Sequence, residues 1–326
     1  MSGGALSCAN PHQMPESQSE EFAINTQAFS VQADTYGFTS CSYADIVTLV
    51  DEAVTVLQER GIRFTPGSVL HKLFADARKL DKQWTQNKTS PSLVTGINAA
   101  YAEKIARIIS TLNDEPGIDE ALQRISGADV NLSNRSKSQG KDALWELSLL
   151  TALKPRMPAQ LVDPPDIVID FGFGNYSIAC KKIYERKSLA SRLRDGAKQI
   201  RESENPGFIA LNIDDMLPGE QILASQTPAS ALQQLSKKIR AFVRDESDAF
   251  GRILNKTYLD GVLISASTIS DIKETSTRLN LTTTFDFYPF QTDALGMERF
   301  LALTKRLSPR TTLGKEPWAV NISWPK

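Results

Sequence analysis

The sequence has few of the residues that build metal clusters or disulfide frameworks. Its 326 residues include three cysteines, Cys8, Cys41 and Cys180, and two histidines. No CxxC pair is present, and an odd number of widely spaced cysteines predicts neither a structural zinc site nor a disulfide scaffold. This cysteine usage is typical of a reducing cytoplasm, so we expect a cytoplasmic protein.

Long apolar runs and a strong net charge are also lacking. No apolar stretch reaches the ~18 residues of a membrane-spanning helix, and the N-terminus lacks the basic start and apolar core of a secretory signal. We therefore expect no membrane partner. The formal net charge is −1, so nucleic-acid binding would need a local basic face. No GxxxxGK[ST] loop is present, so any use of ATP would depend on a partner.

The composition that remains is typical of a folded protein, with 41% hydrophobic and 23% charged residues. Residues 1–38 are rich in Ser, Gln, Glu and Gly and predict a flexible leader, although EFAINTQAFSVQ could contribute one strand. Helical periodicity over 40–130 predicts a helical domain. The polar segment GADVNLSNRSKSQGK, 127–141, indicates a linker after it.

From residue 136 onward, helical and strand-like patterns alternate. KDALWELSLLTALK is helical, and DIVID and NYSIACKKIY are strand-like. A helix in KSLASRLRDGAKQIRES precedes the buried strand GFIALNID. A helix in ASALQQLSKKIRAFVRDES precedes the buried strand DGVLISAS, and TTTFDFYPF and WAVNISW predict further strands. This order predicts an α/β fold over 136–326, with a mixed sheet flanked by helices and preceded by the helical domain.

Charged residues fall at defined places in these elements. Alternate residues of a strand share a face, so Asp166 and Asp170 share a face of the first strand, and Ala179 and Lys181 share a face of the second. The short FGFGN connection predicts a hairpin that brings Asp166 and Lys181 together at one edge. Glu146 lies in an apolar helix, where a carboxylate must be paired, bind metal or reach solvent.

These residues, in this order, resemble the PD-(D/E)xK nuclease superfamily, which has the restriction-endonuclease-like fold. The matching residues are Glu146 on a helix, Pro165-Asp166 at a strand, Ala179-Cys180-Lys181 on the next strand and Gln199 on the following helix. The match covers roughly 140–215 and leaves the helical region unexplained. The motif is short, so its specificity comes from order and context.

The resemblance implies a deoxyribonuclease, of endo- or exonuclease type, that hydrolyses DNA phosphodiester bonds with Mg²⁺ or Mn²⁺. It implies that Asp166 and the carbonyl of Cys180 hold the metal ion, and that Glu146 joins them directly or through water. Lys181 would position or activate the attacking water. The family's habits imply a bacterial restriction or anti-phage system with a second subunit such as a helicase or ATPase. A homodimer is compatible with this interpretation.

Ala179 departs from the pattern, because the superfamily has an acid there that completes the metal site. A methyl group cannot bind Mg²⁺, so we expect this form to be inactive. Either the natural protein has lost catalysis and binds nucleic acid or a partner subunit, or the acid was replaced to give an inactive protein. The retention of Asp166 and Lys181 favours replacement.

The segment from 181 to 201 is strongly basic, with eight basic and two acidic residues. In a chain of net charge −1, this concentration predicts contacts with the phosphate backbone of DNA. Besides Lys181, the candidate residues are Lys182, Arg186, Lys187, Arg192, Arg194 and Lys198.

Overall fold

The computed structural model describes residues 29–30, 42–87, 92–217, 222–253, 256, 258–274, 279–290 and 293–307. Within these ranges the chain is an α/β protein, in which a helical N-terminal region precedes a mixed sheet flanked by helices. Apart from 29–30, the predicted leader lies outside the described residues, and so does the predicted strand WAVNISW. None of the described helices has the length and apolar character that crossing a bilayer requires.

The N-terminal region contains the helices α1 (Tyr43–Glu59), α2 (Val69–Asn87), α3 (Leu93–Thr111) and α4 (Asp119–Gly127). Serines before two of them explain where they begin. Ser42 forms a capping box with Asp45 at the start of α1, and Ser92 accepts from the backbone of Thr95 at the start of α3. The buried residues of α1 include Ile46, Val50 and Ala53, which follow the helical period.

The remaining elements follow in the order α5 (Gln139–Leu153), β2 (Ala159–Leu161), β3 (Ile167–Asp170), β4 (Asn175–Lys182), α6 (Leu189–Glu202), β5 (Gly207–Asn212), β6 (Leu223–Ser225), α7 (Pro228–Asp245), α8 (Ser247–Gly251), β7 (Leu259–Ile272), β8 (Leu279–Pro289) and α9 (Ala294–Leu307). With β1 (Phe29–Ser30), the strands form one sheet in the order β1-β8-β7-β5-β4-β3-β2, and β6 also pairs with β7. The pairs β4–β5, β5–β7 and β6–β7 are parallel and the others are antiparallel. The sheet is therefore mixed, as predicted.

The two faces of β4 belong to different apolar clusters. Ile178 and Cys180 belong to the cluster that includes the buried residues of α1 to α5. Ala179 belongs to the cluster formed with α6 and α7 on the opposite face. Because alternate residues of a strand face opposite ways, this one strand joins both clusters, and the helical region shares its core with one face of the sheet.

Side-chain hydrogen bonds join parts of the polar segment 127–141 to each other and to a tyrosine just beyond β4. The Nζ atom of Lys141 donates to the carbonyl oxygens of Asn134 and Ser136, at 2.8 Å for the latter. The Tyr184 hydroxyl, just beyond β4, donates toward the carbonyl oxygen of Ser138 at 2.9 Å. Lys141 is only 1% exposed, so this predicted linker packs closely against its surroundings.

Candidate functional site

Asp166 lies between Pro165 and the first residue of β3, at a backbone position that is rare for a non-glycine residue. Its φ is +113°, in a region that favours glycine, and such strain tends to persist at functional sites. The ladder between β3 and β4 ends at the pair Ile167–Ile178. Beyond it, the Oδ2 atom of Asp166 accepts from the backbone N–H of Cys180 at 2.6 Å. The carboxylate thus takes the place of a strand partner at the edge of β4.

Lys181 is fixed beside this carboxylate. Its Nζ atom donates to Oδ2 of Asp166 at 3.2 Å and to the carbonyl oxygen of Cys180 at 2.9 Å. The two charged side chains are 10% and 12% exposed. Burial raises the pKa of Asp166, and the charge of Lys181 opposes that rise. The hairpin therefore brings Asp166 and Lys181 together, as its short connection predicted.

Glu146 approaches the same place from α5. Its side chain is 13% exposed, and burial raises its pKa to about 7. The negative charge of Asp166 contributes to the rise, whereas Arg124 and Lys181 oppose it. Because the charge of Asp166 acts on Glu146 in the same direction as burial, the two carboxyl groups lie close enough to interact electrostatically. The structure therefore brings together Glu146, Asp166 and Lys181.

Arg124 is a member of this site that the sequence did not reveal. Its Nη2 atom lies 3.3 Å from Oε2 of Glu146, so the buried glutamate is paired. Arg124 belongs to the last turn of α4, where a basic residue ordinarily interacts with the helix dipole. The two residues are 22 positions apart, and only the packing of α4 against α5 joins them.

Cys180 contributes its backbone rather than its thiol. The side chain is 6% exposed, and burial raises the pKa of the thiol well above its ordinary value, with Asp166 and Glu146 acting in the same direction. The thiol therefore stays protonated and is a poor metal ligand. The carbonyl oxygen, which already accepts from Lys181, retains a second lone pair.

Ala179 and Gln199 are less directly connected to this group. Ala179 is fully buried in the cluster with α6 and stands opposite Ile209 in the β4–β5 ladder. The Oε1 atom of Gln199 on α6 is buried and accepts no hydrogen bond from the described part of the chain. The structure therefore gives Gln199 no bond through this atom to the other site residues.

Lys182 differs from its predicted role as a DNA contact. Its Nζ atom lies 2.7 Å from Oδ2 of Asp215 and donates to Oδ1 of Asn212 at 2.6 Å. The side chains of Lys182 and Asp215 are 2% and 4% exposed. Because the Lys182 side chain is buried and its Nζ atom already contacts Asp215 and Asn212, it is not accessible to a phosphate group of DNA.

Much of the remaining basic run is neutralised locally. Four ion pairs account for this: Arg186 with Glu246 at 2.8 Å and with Asp245 at 3.8 Å, Lys187 with Glu185 at 2.7 Å and Lys198 with Glu202 at 3.7 Å. Lys187 and Lys198 remain exposed and Arg194 is exposed, whereas Arg192 is half-buried. Exposed ion pairs are weak, so phosphate could displace these partners. The surface beside α6 is nonetheless less basic than the residue count indicated.

Comparisons with known proteins supply no assignment. No protein family, curated protein or solved structure matches the chain. The function of the site is therefore inferred from its geometry and its residues.

The oxygen atoms of the site suit a hard divalent cation. Mg²⁺ is commonly bound by one or two carboxylates together with water and substrate oxygens, and Asp166, Glu146 and the Cys180 carbonyl offer ligands of this type. Within the described residues, no group of three or more His, Cys, Asp or Glu side chains could hold a metal ion. The site therefore offers two carboxylates and one backbone carbonyl, and not a cluster of three ligating side chains, within the described residues.

Proposed function

We propose that this chain is a metal-dependent nuclease of the PD-(D/E)xK type, with a restriction-endonuclease-like domain that hydrolyses DNA phosphodiester bonds, and that this form is inactive because of Ala179. The observation that carries the proposal is the bonded pair of Asp166 and Lys181. The aspartate follows Pro165 at a strained backbone position, and Glu146 interacts with both residues. Carboxylates beside a lysine supply part of what metal-assisted attack on a phosphodiester uses.

Each residue has a defined part in this reaction. Asp166 and Glu146 would hold Mg²⁺ or Mn²⁺ with the help of the Cys180 carbonyl. When bound, the metal ion lowers the pKa of its water and neutralises charge on the phosphate. Lys181, held between Asp166 and Cys180, would orient the attacking water and donate toward the developing charge. The missing acid at 179 leaves the metal ion short of one ligand.

A second function, binding without cleavage, is favoured by the surroundings of Ala179. Its methyl group is fully buried in an apolar cluster, as expected of a position that has adapted to an apolar residue. In this alternative the fold is a catalytically decayed nuclease that holds nucleic acid or a partner subunit.

A nuclease assay on Ala179→Glu beside the unchanged protein tests the proposal. Plasmid and linear DNA are incubated with Mg²⁺, with Mn²⁺ and with EDTA. We expect cleavage only by the glutamate variant and only with a metal ion, because the variant regains the third ligand. The matched control is Ala179→Gln, which has the same size but no charge and should not cut.

The other results have different meanings. Robust metal-dependent cutting by the unchanged protein would show that the position of Ala179 is not a required ligand. If no variant cuts but all retard DNA equally, the binding function is supported. If none cuts and none binds DNA, cleavage and nucleic-acid binding are both wrong, and only the partner-binding form of the second function remains.

The biological setting belongs to the same proposal. A cytoplasmic restriction or anti-phage system, with a helicase or ATPase as a second subunit, would suit a nuclease that has no ATP-binding loop of its own. Mass spectrometry of material purified with the tagged chain from its native host should then identify an ATP-hydrolysing partner. Light scattering would show whether the chain is a homodimer.

A further inference from the structure

Arg124 is the most exposed charged side chain of the candidate site. It is 30% exposed, against 13% for Glu146, 12% for Asp166 and 10% for Lys181. A guanidinium group has five N–H donors. The hydrogen bond from Nη2 of Arg124 to Oε2 of Glu146 is 3.3 Å long. The Nε atom of Arg124 is buried and has no hydrogen-bond partner in the described structure. Arg124 therefore has donor capacity left for a ligand.

Packing holds Arg124 against the helix that carries Glu146. Its neighbours Leu122 and Ile125 are fully buried. A Cβ atom on Gly140, in the first turn of α5, would lie 2.9 Å from the carbonyl oxygen of Arg124. Only glycine allows so close an approach here, and the end of α4 therefore rests directly on the start of α5. The guanidinium group is thus supplied to the site from a fixed backbone position.

Each carboxylate of the site is paired with one basic side chain, and a bound metal ion and DNA would change these pairs. Asp166 is paired with Lys181, and Glu146 with Arg124. A divalent cation that binds the two carboxylates competes with Arg124 for Glu146. The guanidinium group then lacks its anion, and a DNA phosphate is of the kind that matches its planar fork of donors, as carboxylate also is.

We propose that Arg124 contacts a phosphate group of bound DNA beside the metal site, and that the helical region thereby supplies part of the substrate-binding surface. This inference rests on the proposed function. It assigns to α4 a role that the resemblance over 140–215 does not include. It also explains why a partly exposed arginine is placed next to a buried carboxylate.

The test is the salt dependence of DNA binding by the full chain. Fluorescence anisotropy with a labelled DNA duplex, in Mg²⁺ and from about 50 to 200 mM salt, gives Kd for the unchanged protein, Arg124→Gln and Arg124→Lys. Loss of one phosphate contact should lower the slope of log Kd against log salt by about 0.9. We expect binding to Arg124→Gln to weaken about 3- to 10-fold at the lowest salt concentration, and Arg124→Lys to keep the slope because it keeps the charge.

Two comparisons make the result specific. Arg78→Gln removes a similar arginine, which is 34% exposed and paired with Asp51 at 2.6 Å, and it should bind DNA like the unchanged protein. If Arg124→Gln unfolds because Glu146 loses its partner, the double variant Arg124→Gln/Glu146→Gln is compared with Glu146→Gln alone, and the same drop in slope is expected.

The outcomes separate this inference from the proposed function. If removal of Arg124 leaves both the slope and Kd unchanged while the parent protein binds DNA, the phosphate contact is wrong and nucleic-acid binding stands. The inference would also be wrong if Arg78→Gln lowered the slope as much as Arg124→Gln does. The loss of any positive charge would then explain the weaker binding. If the parent protein shows no salt-sensitive DNA binding, the proposed function and this inference both fail.

Discussion

Replacement of Lys182 by methionine is expected to lower the free energy of unfolding by about 3–5 kcal/mol. Lys182 is ion-paired with Asp215 and donates to Asn212 in a buried setting, and methionine would fill most of its volume without the charge. The variant would leave the carboxylate of Asp215 desolvated and uncompensated. Urea unfolding at neutral pH, monitored by circular dichroism, measures the change.

Lys187→Met is the matched control for this substitution. Lys187 lies five positions along the chain, is 84% exposed and pairs with Glu185 at 2.7 Å. Exposed pairs contribute little, so we expect a change within about 0.5 kcal/mol. If Lys182→Met costs no more than Lys187→Met, the buried ion pair does not exist in solution.

The pH dependence of the Lys182 effect gives a second check. Burial raises the pKa of Asp215, and Lys182 opposes the rise. Without Lys182, the folded-state pKa of Asp215 should rise further above its unfolded value. The penalty is then fully present above that folded pKa and disappears as the carboxyl becomes protonated at lower pH. The difference between variant and parent should therefore shrink in acid.

Asp286→Asn is expected to stabilise the protein by about 2–4 kcal/mol at a pH of about 8. Asp286 is fully buried in β8, and its oxygens lie 2.9 and 2.7 Å from the Ser236 hydroxyl. Burial raises its pKa to about 7, although Ser236 and Arg240 oppose the rise. At pH 8 the folded protein must therefore hold a charge that its surroundings disfavour, and asparagine removes it while keeping an oxygen acceptor.

The sign of the effect fixes its pH window. The folded state holds the Asp286 proton more tightly than the unfolded state, whose pKa lies near the ordinary 3.8. In the unchanged protein, the contribution of Asp286 to the free energy of unfolding is fully present below a pH of about 4 and is lost as the pH rises toward 7. The advantage of asparagine should thus be near zero at a pH of about 4 and reach its full value above 7.

Urea unfolding at both pH values tests this prediction. Asp195→Asn, at an exposed position on α6, is the control, and we expect changes within about 0.5 kcal/mol at either pH. An equal gain for Asp286→Asn at pH 4 and pH 8 would contradict the charge-based explanation. It would indicate that packing or hydrogen bonding had changed instead.

Much of the fold follows from local patterns in the sequence. Period-2 alternation and the FGFGN connection predicted the β3–β4 hairpin, and helical periodicity predicted α1 to α4. The sequence did not indicate β2 and β6, because each has three residues and no alternation can be read over so short a run. It also missed α9, although Phe300, Leu303 and Leu307 recur there at helical spacing and are buried.

The site was predictable where residues are close in sequence and unpredictable where packing joins them. The approach of Asp166 to Lys181 followed from the hairpin. Asp166, however, does not lie within β3, since it precedes the strand with a positive φ. The pairing of Arg124 with Glu146 and of Lys182 with Asp215 required the tertiary structure, because charge alone does not show which basic residues turn inward.

The bond from the Cys180 N–H to Asp166 also has a consequence for solubility. Among the described residues, no strand pairs with β4 on the β3 side past Ile178, and the aspartate occupies the backbone donor that a second chain could otherwise pair with. Exposed strand edges are sites of intermolecular association. The residue proposed to bind metal therefore also occupies an unpaired backbone donor of β4, and substitutions that remove its carboxylate would free that donor for pairing with a second chain.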